Sequence, residues 1–113
     1  MAKANIIVID DEPGVRDMLT DALRMQGYSA MAVADGHAGL REIHAGNFDL
    51  IISNVNMPKV TGFELLERLR ATGNETPVIL LTDRGDRADV AVGFRAGADD
   101  YVTKPLLSLI HIS

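Results

Sequence analysis

Four short apolar runs along this chain each end in polar side chains. Ile6-Ile7-Val8-Ile9 leads into Asp10-Asp11, Leu50-Ile51-Ile52 into Ser53-Asn54, Val78-Ile79-Leu80-Leu81 into Thr82, and Tyr101-Val102-Thr103 into Lys104-Pro105. Continuous apolar runs of this length mark strands covered on both faces, where alternation would mark a half-exposed one. A further strand is read at Ser29 to Val33.

Between the runs the period changes from two to about 3.6. Pro13 suits the first turn of a helix, where its missing N–H is no loss. Val15, Met18, Leu19, Ala22 and Leu23 then fall on one helical face, and Gly27 is a stop signal. A short helix carries Leu40 and Ile43 and ends at Gly46-Asn47. Another uses Phe63, Leu65, Leu66 and Leu69 before Gly73-Asn74, and a fourth runs from Asp86 to Ala96 and stops at Gly97.

Strands alternating with helices predict an α/β fold, a parallel sheet covered on both faces and joined by right-handed crossovers. The expected architecture is a flavodoxin-like doubly wound sheet of order 2-1-3-4-5, whose first and third strands meet at the topological switch point. Ligands bind there, beyond the carboxyl ends of the strands. The topology therefore brings Asp10, Asp11 and Asn54 together, with Thr82 and Lys104 on the next strands over.

Composition narrows the class. At 113 residues the chain is read as a single domain, and 47% apolar content makes it globular. No stretch reaches the ~18 apolar residues that a membrane span requires. The N-terminus shows no export pattern, so a cytoplasmic location is expected. The lack of cysteine rules out disulfides and thiolate metal sites. A net charge of −5 argues against direct nucleic-acid binding, whose footprint is a basic face.

The converging side chains suggest a site for a divalent cation and a phosphoryl group. Asp10 and Asp11 offer the hard oxygen ligands that Mg²⁺ prefers. The alternative is that one of them caps the helix starting near Pro13. Thr82 is placed to hydrogen-bond a phosphoryl oxygen, or serves as a structural strand-end threonine. Lys104 is placed to meet phosphoryl charge as a point cation, or is simply solvated. Pro105 raises the option of a cis peptide that aims the lysine.

Taken together, these pieces resemble the receiver domain of bacterial two-component response regulators, the CheY-like family. The matching segments are Val8-Ile9-Asp10-Asp11-Glu12, Asn54-Val55-Asn56-Met57-Pro58 with Gly62, Leu80-Leu81-Thr82, Gly97-Ala98-Asp99-Asp100-Tyr101 and Lys104-Pro105. The resemblance implies a phosphorelay module that is not an enzyme. In it, a sensor histidine kinase donates a phosphoryl group to an aspartate at the end of strand three. It further implies Mg²⁺ held by Asp11 directly, by Asp10 through water, by residue 54 and by the backbone carbonyl of Asn56. Thr82 and Lys104 would grip the phosphoryl oxygens. Tyr101 would be the aromatic that turns inward on activation, unless it is a half-buried core residue.

The chain departs from the family in three places. Asn54 stands at the phosphoacceptor position, and a neutral carboxamide cannot form the acyl phosphate, so phosphorylation incompetence and weakened Mg²⁺ binding are expected. With the rest of the site intact, an engineered or recently changed receiver is favoured over a long-degenerate one. Asp83 follows Thr82 where the family has a small residue, either restoring charge near the pocket or opening the solvated loop Asp83-Arg84-Gly85-Asp86. After Pro105 the eight residues Leu106 to Ser113 are fewer than a stable helix needs. The tail is read as truncated or partly of cloning origin, with His111 incidental and an output domain lost beyond residue 105. An under-covered sheet face would then invite homodimerisation. Two other readings compete. One is a constitutive pseudo-receiver that only binds proteins, and the other a haloacid-dehalogenase-like phosphohydrolase with Asp10 as nucleophile.

Overall fold

The structure, a computed structural model, describes residues 3–82 and the strand at 100–103. Five strands form one parallel sheet: β1 (Asn5–Ile9), β2 (Ser29–Val33), β3 (Leu50–Asn54), β4 (Val78–Thr82) and β5 (Asp100–Thr103). Their order is β2-β1-β3-β4-β5, the doubly wound order expected of the alternating pattern. Among the described residues, three helices lie between them in the chain: α1 (Pro13–Met25), α2 (Gly36–Ala45) and α3 (Gly62–Ala71). The helix read at 86–96, the Lys104-Pro105 pair and the tail at 106–113 lie outside the described residues. Among the described residues, no helix is long and apolar enough to cross a membrane.

The strands are apolar throughout because each of their faces has its own core to fill. Successive side chains of a strand point to opposite faces. Ile7, Ile9, Ile51, Val78 and Leu80 accordingly pack with Ile43 of α2 and with Leu65, Leu66 and Leu69 of α3. Ile6, Val8, Ile52 and Leu81 pack on the other side with Leu19, Val15, Met18 and Leu23 of α1. Full burial of one such side chain stabilises the fold by about 1.5–3 kcal/mol. The central strands contribute to both layers at once, which makes β1 and β3 a rigid base for whatever follows them.

The helix ends also follow from local chemistry. Gly27 has φ 92°, and the N–H groups of Gly27 and Tyr28 donate to the carbonyls of Arg24 and Leu23. That pairing is a Schellman stop, in which the left-handed residue is best supplied by glycine. Gly73, with φ 82°, ends α3 in the same way, bonding back to Arg70 while Asn74 bonds to Leu69. At the other ends, Asp35 caps α2 by accepting from Ala38 N at 2.8 Å, and Thr61 caps α3 by accepting from Glu64 N at 3.2 Å.

Candidate functional site

The sheet register sets the height of each polar side chain. Ile9 of β1 lies beside Ser53 of β3, which puts Asp10 level with Asn54. Asn54 pairs with Leu81, and Thr82 with Thr103, so β3 runs two residues and β4 one residue past its apolar run. Asp10, Asn54 and Thr82 are all buried, at 0%, 3% and 1% exposure. Asp11 and Glu12 are exposed, at the start of the turn into α1.

That turn is fastened at Asp10. Its Oδ1 accepts from the backbone N–H of Glu12 at 2.9 Å, and its carbonyl accepts from Arg16 Nη1 at 2.7 Å. The N-cap of α1 is Glu12, with no side-chain cap bond, so neither Asp10 nor Asp11 holds the capping position. Pro13 explains why little is lost, since it removes one of the N–H groups that a cap would serve.

Asn54 is the junction of the site. Its Nδ2 donates to Asp11 Oδ1 at 3.0 Å and to the Asn56 carbonyl at 2.7 Å. A carboxylate and a carbonyl can only accept, so the amide has to present its nitrogen to them and turn its oxygen away. The loop beyond β3 is held close by two further bonds, Gly62 N to Val55 O and Val60 N to Pro58 O, both 2.8 Å. Lys59 between them takes φ 68°, the left-handed region that a non-glycine residue enters at a cost. Gly62 packs its backbone directly against the Asn54 carbonyl, leaving no room for a side chain.

The donor set suits a hard divalent cation. Carboxylate oxygens of Asp10, Asp11 and Glu12 lie within 4.8 Å of one another, and the Asn56 carbonyl reaches the same carboxamide that Asp11 touches. Hard oxygens in a loose cluster of this kind match the preferences of Mg²⁺. Glu12 was not singled out as a ligand in the sequence, although a third acid in the row Asp10-Asp11-Glu12 is a visible signal. Arg16 was missed as well, because nothing in helical spacing reveals a bond to a carbonyl six residues earlier. Position 104 follows directly after Thr103, the neighbour of Thr82 in the sheet, but Lys104 itself lies outside the described residues, as does the Tyr101 side chain.

Residues 6–110 match the family described as "Response regulator receiver domain". The chain belongs to that family. This receiver is 39% identical over 103 residues to the transcriptional regulatory protein RprY of Bacteroides fragilis, covering 91% of the chain and 44% of the relative. It is 40% identical over 102 residues to the transcriptional regulatory protein AfsQ1 of Streptomyces coelicolor, covering 90% of the chain and 45% of the relative. The receiver thus spans under half the length of these curated relatives. Among solved structures it is similar to the chemotaxis protein CheY4 of Vibrio cholerae, with a TM-score of 0.87, 32% identity and 98% of each chain covered. It is also similar to the response regulator TrrA of Thermotoga maritima, solved in complex with Mg²⁺-BeF, at TM-score 0.81 and 33% identity, with 89% of this chain and 86% of that one covered. The receiver is therefore a module of two-component signalling, and its flavodoxin-like fold is that of its CheY-like neighbours.

Proposed function

We propose that this receiver cannot take a phosphoryl group at position 54 and that its signalling switch is held off. The observation that carries the reading is the carboxamide at the end of β3, bonded to Asp11 where the resemblance calls for an aspartate. In phosphoryl transfer a carboxylate oxygen forms the new bond to phosphorus while the donor's P–N bond breaks. A neutral amide oxygen carries no full charge for that attack.

The remaining site keeps its roles in this reading. Asp11, Asp10 (through water) and the Asn56 carbonyl would hold Mg²⁺, and the ion would neutralise phosphoryl charge. With Asn54 in place of a carboxylate, one anionic ligand is gone and affinity is weakened. Thr82 and Lys104 would hold phosphoryl oxygens, and Tyr101 would be the aromatic switch. The partners are a sensor histidine kinase and an output domain following the receiver, the latter supported by the longer transcriptional regulators among its relatives. Residues 1–113 form one receiver unit in this reading, with a cytoplasmic location and no turnover of its own.

The test is incubation with acetyl phosphate and Mg²⁺, read by intact-protein mass. The unaltered chain is expected to gain no phosphoryl group and the Asn54→Asp form to gain one. A labelled parent chain would overturn the reading. An unlabelled Asn54→Asp form would favour the constitutive pseudo-receiver, and steady hydrolysis of p-nitrophenyl phosphate by the parent would favour a phosphohydrolase.

A further inference from the structure

We propose that the Asn54 carboxamide is a built-in cross-link that does without metal what a divalent cation would do at this site. The inference rests on the receiver reading for the identity of the ligands, and on the structure for everything else. Two separate loops meet at Asn54: the acidic turn between β1 and α1, through Asp11 Oδ1 at 3.0 Å, and the loop between β3 and α3, through the Asn56 carbonyl at 2.7 Å. These are two of the oxygens assigned to the cation. An N–H pair with partial positive charge lies between them, so the oxygens converge on a donor inside the protein.

The arrangement is favourable for three reasons. Asn54 is 3% exposed, so water competes poorly for its bonds. One acceptor is a carboxylate, which makes that bond charge-assisted. The anchor is also stiff, since the Asn54 carbonyl is backed by Gly62 and the Val55 N–H donates to Leu81 O at 2.8 Å. A carboxylate at position 54 would reverse the balance. It would add a further carboxylate to the cluster of Asp10, Asp11 and Glu12, offer no donor to the Asn56 carbonyl, and leave Asp11 and that carbonyl to be joined only by an external cation.

A cation therefore competes with the amide. To use residue 54 as a ligand, it must break both N–H bonds and turn the carboxamide over so that Oδ1 faces inward. The receiver's stability should then be indifferent to Mg²⁺, and its two loops should stay ordered in a chelator.

Two measurements test this. In NMR of the unaltered chain in EDTA, the Asn54 side-chain amide protons are expected to exchange with water about tenfold or more slowly than those of exposed Asn47, the factor of one charge-assisted hydrogen bond. In thermal unfolding, millimolar Mg²⁺ is expected to leave the parent midpoint unchanged, to raise that of Asn54→Asp, and to leave Asn54→Ala below the parent with or without the metal. Exchange as fast as at Asn47, or a parent midpoint that climbs with Mg²⁺ as steeply as that of Asn54→Asp, overturns the cross-link. Neither readout involves phosphate. A protected amide in a chain that acetyl phosphate nevertheless labels would refute the proposed function and leave the cross-link standing.

Discussion

Replacing Gly62 with alanine puts a methyl carbon into space already taken by backbone. The added Cβ would collide with the Asn54 carbonyl oxygen and lie 3.0 Å from Val55 Cα and 3.1 Å from the Asn54 carbonyl carbon. No rotamer change relieves this, because every one of these atoms belongs to β3 or its immediate continuation. Either α3 must retreat, stretching the 2.8 Å bond from Gly62 N to Val55 O, or β3 must shift in a sheet packed on both faces. Overpacking of this kind costs about 1–3 kcal/mol, and a contact made only with backbone belongs in the upper half of that range. Alanine recovers about 0.5–1 kcal/mol through the lower conformational entropy of the unfolded chain. The net expectation is a loss of about 2 kcal/mol. With urea slopes of roughly 1–2 kcal/mol/M for a domain of this size, the unfolding midpoint should fall by about 1–2 M at unchanged slope. Gly14 provides the control. It is also in the first turn of a helix, but a Cβ there meets nothing within 4 Å, so Gly14→Ala should raise stability by about 0.5 kcal/mol. A Gly62→Ala protein as stable as the parent would refute the claim that β3 and its loop are held rigidly against α3.

Leu65 is fully buried between α3 and the sheet, and Leu65→Ala should cost about 3 kcal/mol in urea unfolding, with no compensating collapse of the site. Asp35→Ala should lose about 1 kcal/mol by removing the α2 cap, whereas Asp35→Ser should stay within a few tenths of the parent. Arg16→Met keeps the aliphatic stem but removes the bond to the Asp10 carbonyl, so a loss of about 1 kcal/mol is expected, read as a lower thermal midpoint. If Arg16→Met matches the parent, the acidic turn is held by the Asp10 Oδ1 and Asn54 Nδ2 bonds without it.

Much of this molecule is legible in the sequence for a simple reason. Strands buried on both faces must be apolar along their whole length, so Ile6 to Ile9 and Leu50 to Ile52 identify themselves. Val15, Met18, Leu19 and Leu23 of the α1 stripe reappear as one wall of the second core. Gly27 and Gly73 mark helix ends because a left-handed residue is needed there, and both adopt positive φ. The meeting of Asp10, Asp11 and Asn54 follows from topology alone, since a doubly wound sheet allows its strand ends only one common rim. The capping alternative for the acids was equally legible but does not occur, because Pro13 shifts the cap to Glu12.

Pattern along the chain was enough to set the described elements, their order in the sheet, and the presence of an amide in place of a negative charge at position 54. Periodicity, stop residues and charge are properties of single positions, and they survive without any knowledge of distance. The folded arrangement was needed to show which way that amide faces, and that its nitrogen joins Asp11 to the Asn56 carbonyl. It also decided that Gly62 must be glycine because the Asn54 carbonyl occupies the space beside it. Hydrogen-bond direction and steric exclusion depend on atoms only a few ångströms apart yet distant in the chain, and no pattern along the sequence encodes them.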